Sequence, residues 1–466
     1  MVLYGGEIKP VTGTFINLAY QDVRNKYTNP EGMEMTSPEL WRAKIAEMGA
    51  MGMEYLIFMA VANEGRAYYP SQLMPHHYPA GSQSPVEAIL DAAADHGMKV
   101  FMSTGWAENQ DDNLRIPRIK QRQMDMMAEL AGLFGDHKAF YGWYLPVEDC
   151  LGPVLTDYAV EAVNALTERA RELTPEAKIL ISPYGIFNSN FDHPNYARQI
   201  ERLKVDIIAY QDEVGCVREQ FPLPRLRENW KRLAEIHARI PIEMWANCEN
   251  FTWERGTNDR TSALIPAAPE RFVAQLEAAS SAGVDRIVSF MMCGIFEAEG
   301  SPYPLGQPEL SVRAAKEYME WSRSLTPLRT PAGVAVESCS EPRLVDGVRA
   351  DENTAHKGWV VLPKGECELS LALGEVCSRV EVRLGALNYV PEGVELPEKI
   401  ALYGSADGET YTLLAEESPY AWPNNRHDAW IKELVLVGEG ESIRHLKLEL
   451  TSPSKCYVDE VVLSLP

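Results

Sequence analysis

Between positions 12 and 323 the chain alternates eight times between a short apolar run and a stretch with helical periodicity. The apolar runs fall at 12–17, 55–61, 99–104, 139–145, 178–182, 205–210, 241–247 and 286–292. Each is strand-length and rich in branched and aromatic residues. Helices are expected between them, near 121–134, 155–173, 194–203, 226–238 and 269–282, with a last one near 312–323. Ser37-Pro38 and Ser84-Pro85 open two earlier helices, the serine as N-cap and the proline at the first helical position. Trp41, Ile45 and Met48 share one face of the first; Val86, Ile89, Leu90 and Ala93 line the second at i, i+3, i+4 and i+7. Each strand-helix unit takes about forty residues, as a (β/α)₈ barrel with moderate loops requires. An open doubly wound sheet is the structural alternative, but no glycine-rich phosphate loop follows any early strand.

The 466 residues exceed one ordinary core, so two domains are expected, at 1–326 and 335–466. The linker falls where Ser324-Leu-Thr-Pro-Leu-Arg-Thr-Pro-Ala-Gly333 brings prolines and short polar residues. Beyond it helical periodicity gives way to short alternating strands, near 367–373, 379–384, 399–403, 411–415, 445–450 and 458–463, separated by turn residues. That pattern reads as an all-β sandwich of the jelly-roll kind. The fold class is therefore α/β, a (β/α)₈ barrel followed by a β-sandwich.

A net charge of −23 repels polyanions, so neither nucleic acid nor an anionic membrane is an expected partner. Met1-Val-Leu-Tyr-Gly-Gly has neither the basic nor the apolar region of a secretory signal, and no apolar run is long enough to span a bilayer. The eight cysteines are scattered without a CxxC or a metal spacing and read as reduced thiols of a cytoplasmic protein. Cys248 has no histidine near it in sequence and is not expected to be a nucleophile. The composition is silent on oligomeric state.

Chemistry in a parallel barrel sits at the C-terminal strand ends. Two runs finish in carboxylates there: Ala139-Phe-Tyr-Gly-Trp-Tyr-Leu-Pro-Val-Glu-Asp149, and Ile242-Glu-Met-Trp-Ala-Asn-Cys-Glu249. Glu148 and Glu249 are the expected catalytic pair. Cleavage of a glycosidic bond needs a proton donor on the leaving oxygen and a second carboxylate on the other face of the sugar. Trp143, Tyr144 and Pro146 give Glu148 the apolar surroundings that would raise its pKa and suit an acid. Asn247 could hydrogen-bond a carboxylate or a sugar hydroxyl. Aromatic rings stack on pyranose faces, so Trp106, Tyr144, Tyr184, Tyr210, Trp245 and Trp253 are substrate-binding candidates, of which about half would be core. Asn17, Gln211 and Asp212 end the first and sixth strands and complete the set, with Asp212 as the reserve catalytic carboxylate. Glu64, Arg66, Tyr68 and Tyr69 could fix a further subsite, whereas Glu297 and Glu299 read as a solvated loop.

The C-terminal region resembles a discoidin, or coagulation-factor type C, galactose-binding-like module. The matching residues are Leu344-Val-Asp-Gly347, Trp359, Leu371-Ala-Leu-Gly-Glu-Val376, Leu402-Tyr-Gly-Ser-Ala-Asp-Gly-Glu-Thr-Tyr-Thr-Leu413 and Tyr457-Val-Asp-Glu-Val-Val462. The barrel resembles a bacterial glycosidase-like family of unknown function through Thr12-Gly-Thr-Phe15, Gly142-Trp-Tyr-Leu-Pro-Val-Glu148, Asp206-Ile-Ile-Ala-Tyr-Gln-Asp212 and Trp245-Ala-Asn-Cys-Glu249. More distantly it is similar to the clan of retaining (β/α)₈ glycoside hydrolases, whose acid/base ends strand four and whose nucleophile ends strand seven. That resemblance implies Glu148 as acid/base and Glu249 as nucleophile. The clan carries Asn just before the acid/base, where this chain has Val147.

The expected function is hydrolysis of a glycosidic bond in a carbohydrate substrate, with no cofactor and no metal. Two alternatives stand beside it, a non-catalytic carbohydrate-binding barrel and a metal-dependent barrel enzyme. The loop Ser418-Pro-Tyr-Ala-Trp-Pro-Asn-Asn-Arg-His-Asp428 mixes aromatics with hydrogen-bonding side chains, so it is expected to bind carbohydrate, to close over the barrel mouth or to pack the domains.

Overall fold

A computed structural model describes residues 8–18, 35–109, 112–215, 223–256, 259, 261–324, 332–333, 335–420, 422 and 429–465. Two compact units appear, Gly6–Ser322 and a second built mainly from Arg323–Pro466.

The first unit is a closed parallel barrel. Its strands are β1 (Gly13–Ile16), β2 (Tyr55–Phe58), β3 (Lys99–Ser103), β4 (Phe140–Tyr144), β5 (Lys178–Ile181), β6 (Ile207–Gln211), β7 (Glu243–Glu249) and β8 (Arg286–Phe290). Each pairs with its sequence neighbours, and the ladder Gly13↔Val288 and Thr14↔Ser289 joins the last strand to the first. The helices are α1 (Pro38–Ala50), α2 (Pro85–Asp95), α3 (Pro117–Phe134), α4 (Asp157–Leu173), α5 (Tyr196–Glu201), α6 (Leu223–His237), α7 (Pro269–Ser281) and α8 (Leu310–Ser324). Both serine caps form. Ser37 accepts from the Leu40 amide at 3.3 Å, and Ser84 makes a capping box with Glu87.

Strand alternation sends every second side chain inward. Phe15, Tyr55, Ile57, Phe101, Tyr144, Leu180, Ile207, Ala209, Trp245 and Val288 fill the interior. The rings meet edge to face, Trp245 against Tyr55 at 5.3 Å and Phe15 against Tyr144 at 5.2 Å. Continuing the same parity, Gln211 follows Ala209, and Asn247 and Glu249 follow Trp245. The apolar plug therefore forms a floor beneath a polar layer at the C-terminal rim.

Two strands run further than their apolar runs suggest. The β6–β7 ladder reaches Gln211↔Asn247, and the β7–β8 ladder reaches Glu249↔Phe290. A polar side chain at a strand end does not stop the backbone from pairing, so Gln211 and Glu249 lie within the sheet.

Glu297 departs from the solvated loop expected of it. It is buried after β8, where it pairs with Lys44 of α1, also buried. Lys44 Nζ donates further to Glu47 at 2.8 Å and Ser301 at 2.9 Å, and Glu297 Oε2 accepts from the Leu305 amide at 2.8 Å. This cluster ties the β8–α8 loop to the first helix; Glu299 is exposed, as a loop residue should be.

Among the described residues, the second unit is an antiparallel sheet domain of eight strands. The runs expected at 367–373 and 379–384 belong to one strand, Gly365–Asn388, and that at 445–450 lies within Trp430–Ser452. These two long strands pair with each other, with register shifts between Ala372 and Cys377 and between Cys377 and Arg379. Residues read as a turn are thus absorbed as bulges, which bend a ladder without ending it. One hydrogen-bonded sheet results. Its far half pairs Gly365–Asn388 with Cys456–Leu465, and its near half pairs Trp430–Ser452 with Lys399–Ser405. Trp359 is buried, with Nε1 donating to the carbonyls of Asp351 at 3.1 Å and Asn353 at 3.0 Å. In the loop expected to bind carbohydrate, Trp422 is buried and packs edge to face on Tyr420, whereas Arg426 lies outside the described residues.

Removing the Lys44 ammonium would leave Glu297 charged and buried without its cation. Lys44→Ala is expected to cost about 3–5 kcal/mol, read as a lower urea midpoint at unchanged m-value.

Candidate active site

The loop after β4 carries Glu148 to the rim. Its neighbours fix its course. Leu145 N donates to Leu180 O at 3.0 Å, and Trp106 Nε1 reaches Pro146 O at 3.4 Å. The loop then runs beside the one after β5, with Tyr184 N on Asp149 O at 3.2 Å and Leu151 N on Tyr184 O at 2.7 Å. The Asp149 carboxylate is committed elsewhere, accepting from both the amide and the hydroxyl of Thr156 at 2.8 Å to start α4. That leaves the half-buried Glu148 as the acid of this pair that faces the rim network.

A chain of hydrogen bonds links Glu148 to β7. Gln211 Nε2 donates to Glu148 Oε1 at 3.2 Å and to Ser182 O at 2.8 Å. Ser182 Oγ donates to Ala209 O at 2.7 Å, which leaves it free to accept from Asn247 Nδ2 at 3.1 Å. Asn247 is the inward neighbour just below Glu249 on the strand. β4, β5, β6 and β7 thus each contribute to one polar layer.

Glu249 is only 4% exposed. Its amide donates to Asp212 Oδ1 at 3.1 Å, and its carbonyl accepts from Arg271 Nη2 at 3.2 Å and Gln275 Nε2 at 3.0 Å. Its carboxylate lies against the β6 loop, where a Cβ on Gly215 would come within 2.9 Å of Oε2. The glycine leaves the volume that the carboxylate occupies.

Asp212 is fully buried, and its oxygens accept from Gln275 Nε2 at 2.6 Å and from the amides of Glu249 and Val214. Burial pushes its carboxyl above the ordinary aspartate range, opposed by those hydrogen bonds. It belongs to the wall behind Glu249 and does not meet the expectation of a reserve catalytic acid. The Cys248 thiol is also fully buried, and burial, reinforced by Asp212 and Glu249, holds it well above its usual range. That setting disfavours the thiolate that a nucleophile needs.

The aromatic candidates divide. Tyr184, at 38% exposure, stands at the rim, where burial first and then Cys150, Asp149 and Glu148 push its hydroxyl up. Tyr144 and Trp106 are buried in the interior cluster beside the Glu148 loop. Burial and the Glu148 charge raise the Tyr144 hydroxyl well above its usual range. Trp253 is buried on a hairpin after β7, Phe251–Trp253 with Leu264–Pro266. Asn17 is buried at the end of β1.

Two candidates are corrected. Tyr210 faces the helices: its hydroxyl bonds His237 Nε2 at 2.8 Å, and its ring meets Trp230. Trp245 is part of the floor, with Nε1 on Glu243 Oε2 at 3.0 Å near the opposite end of the barrel. Tyr68 and Tyr69 are buried too, Tyr68 stacked on His77 at 4.2 Å.

Ser182, Gly215, Arg271 and Gln275 went unnoticed in the sequence. Arg271 and Gln275 are spaced i, i+4 on the face of α7 that also buries Phe272 and Leu276. A polar pair inside an apolar stripe was the available signal. Glu213, buried beside Asp212, has φ of 53° and accepts from the Gly185 amide at 2.5 Å. That left-handed conformation costs a non-glycine residue about 1–3 kcal/mol and is held by its surroundings. Among the described residues no group of three or more His, Cys, Asp or Glu is arranged to hold a metal ion, and no helix is long and apolar enough to cross a membrane.

Closed ladder, apolar floor and polar C-terminal rim define a (β/α)₈ barrel. Residues 11–303 match the DUF4434 family, a domain of unknown function, and the chain belongs to that family. No curated protein matches it. Among solved structures it is similar to a barrel from Bacteroides thetaiotaomicron VPI-5482 whose assignment as an alpha-L-fucosidase is provisional. The TM-score is 0.53 at 18% identity, over 68% of this chain and 94% of that one. Looser likenesses join it to a glycoside hydrolase family 5 protein from Bacteroides vulgatus ATCC 8482 (TM-score 0.43, 11% identity, 89% of this chain and 86% of that one). They also reach a beta-galactosidase from the Antarctic haloarchaeon Halorubrum lacusprofundi (TM-score 0.44, 12% identity, 70% of this chain and 59% of that one). At 18% identity the first of these likenesses is one of fold.

Gly215→Ala sets a methyl against the Glu249 carboxylate and against Phe251 O, the latter at 2.7 Å. A crystal structure of the variant should show the Glu249 side chain displaced, with a loss of about 1–3 kcal/mol in denaturant unfolding.

Proposed function

We propose that the barrel is a retaining glycoside hydrolase acting on an oligosaccharide or glycoside, with Glu148 as acid/base and Glu249 as nucleophile. The observation that carries this reading is the polar layer itself. Two glutamates lie at the C-terminal ends of strands four and seven of a closed barrel, and hydrogen bonds through Gln211 and Ser182 tie Glu148 to Asn247, two residues before Glu249. The fold it shares with a barrel of provisional alpha-L-fucosidase assignment is in keeping with this, although the sugar is not taken from it.

Glu148 gives its proton to the glycosidic oxygen while a Glu249 oxygen attacks the anomeric carbon from the other face. The bond to the leaving group breaks as an ester to Glu249 forms. Glu148, now a carboxylate, takes a proton from water, whose oxygen displaces Glu249 and restores the starting anomeric configuration. Gln211 orients Glu148 by a hydrogen bond to one carboxylate oxygen. The half-exposed ring of Tyr184 offers a stacking face at the rim. The C-terminal sheet domain resembles a discoidin-like module.

The test is a panel of 4-nitrophenyl glycosides and oligosaccharides, with product configuration read by NMR. Turnover should retain the anomeric configuration. Glu249→Gln should abolish it while substrate still binds in calorimetry. Glu148→Ala should lower kcat roughly 10²–10⁴-fold on poor leaving groups and far less on activated aryl ones. Full activity in Glu249→Gln sinks the assignment; binding without turnover in the wild type would leave a carbohydrate-binding barrel.

A further inference from the structure

Asp212, Arg271 and Gln275 are all fully buried, and all three converge on the peptide groups of one residue. Asp212 accepts the Glu249 amide, while Arg271 and Gln275 donate to the Glu249 carbonyl. Gln275 Nε2 also bonds Asp212 Oδ2 at 2.6 Å, and Arg271 Nη2 reaches on to Phe251 O at 2.7 Å. The donors and acceptors of Glu249 are thus gripped on both sides, from β6 and from α7. An ordinary strand end would leave this task to backbone partners. Desolvating an aspartate and an arginine here is costly, so the arrangement needs a return other than packing.

We propose that Asp212, Arg271 and Gln275 are positioning residues that brace Glu249 for attack. This rests on Glu249 being the nucleophile. Full burial keeps Asp212 from touching substrate, so it acts through Glu249.

The experiment uses the full-length protein in two arms. In the first, without substrate, amide hydrogen exchange is followed at Glu249. Asp212→Ala should speed it about tenfold, the scale of one lost hydrogen bond, and leave β2 unchanged; Asp212→Asn, which keeps an acceptor oxygen, should restore much of the protection. In the second arm, on whichever 4-nitrophenyl glycoside the wild type cleaves, Gln275→Leu, which removes a brace without removing a charge, should lower kcat by on the order of tenfold or more, as small misplacements do, at nearly constant KM. This milder variant keeps the test open should Asp212→Ala fail to fold. Unchanged exchange in Asp212→Ala together with unchanged kcat in Gln275→Leu overturns the brace while the glycosidase assignment stands. Loss of the assignment itself reads differently: no glycoside is cleaved, yet Glu249 exchange still answers to Asp212.

Discussion

Closing the ladder between Gly13 and Val288 turns eight strands into a wall without an edge, and the side chains inside must then fill the space. Trp245, Phe101, Tyr55 and Tyr141 do so as a cluster of edge-to-face rings at one end, with Phe15 and Tyr144 above. Rings of that size tolerate little slippage, since a shift of one residue would turn every inward side chain outward. The register held by this packing is what lifts Gln211, Asn247 and Glu249 to the rim. The polar layer has the geometry it has because the floor beneath it is full.

Above that floor the energetic logic reverses. Buried amides, hydroxyls and carboxylates gain little net from each hydrogen bond, about 0.5–1.5 kcal/mol, but lose more when left without one. Ser182 is therefore tied on both sides, to Ala209 O and to Asn247, and Gln211 shares one amide nitrogen between Glu148 and Ser182 O. Such a network has few alternative arrangements. It fixes orientation more than it adds stability, as the proposed pair of carboxyl groups would require.

The parts of this legible in the sequence are those set by local pattern. Apolar runs located all eight strands, and serine-proline pairs located two helix starts. Glu148 and Glu249 stood out because a carboxylate directly after an apolar run has to sit at a rim. Side-chain direction was not legible. Strands covered on both faces read as continuous apolar runs, so nothing local tells Tyr210 from Gln211, although one faces α6 and the other the barrel mouth. Trp245 shows the converse: it points inward, but at the wrong depth to meet a ligand. Lys44 and Glu297 meet across 253 positions, a pairing no local pattern reports. In the second unit, residues that looked like a turn bend a strand without ending it, because the partner ladder resumes at Arg379↔Glu439.

The seam between β1 and β8 also governs how the chain comes into being. Thr14 Oγ1 bonds the carbonyl of Ser289, 275 positions later. During synthesis at about 5–20 residues per second, the first strand waits on the order of 15–60 s for the partner that covers its free edge. Any sheet formed before then would carry an unpaired apolar strand at each border, the form most prone to pair with a neighbouring chain.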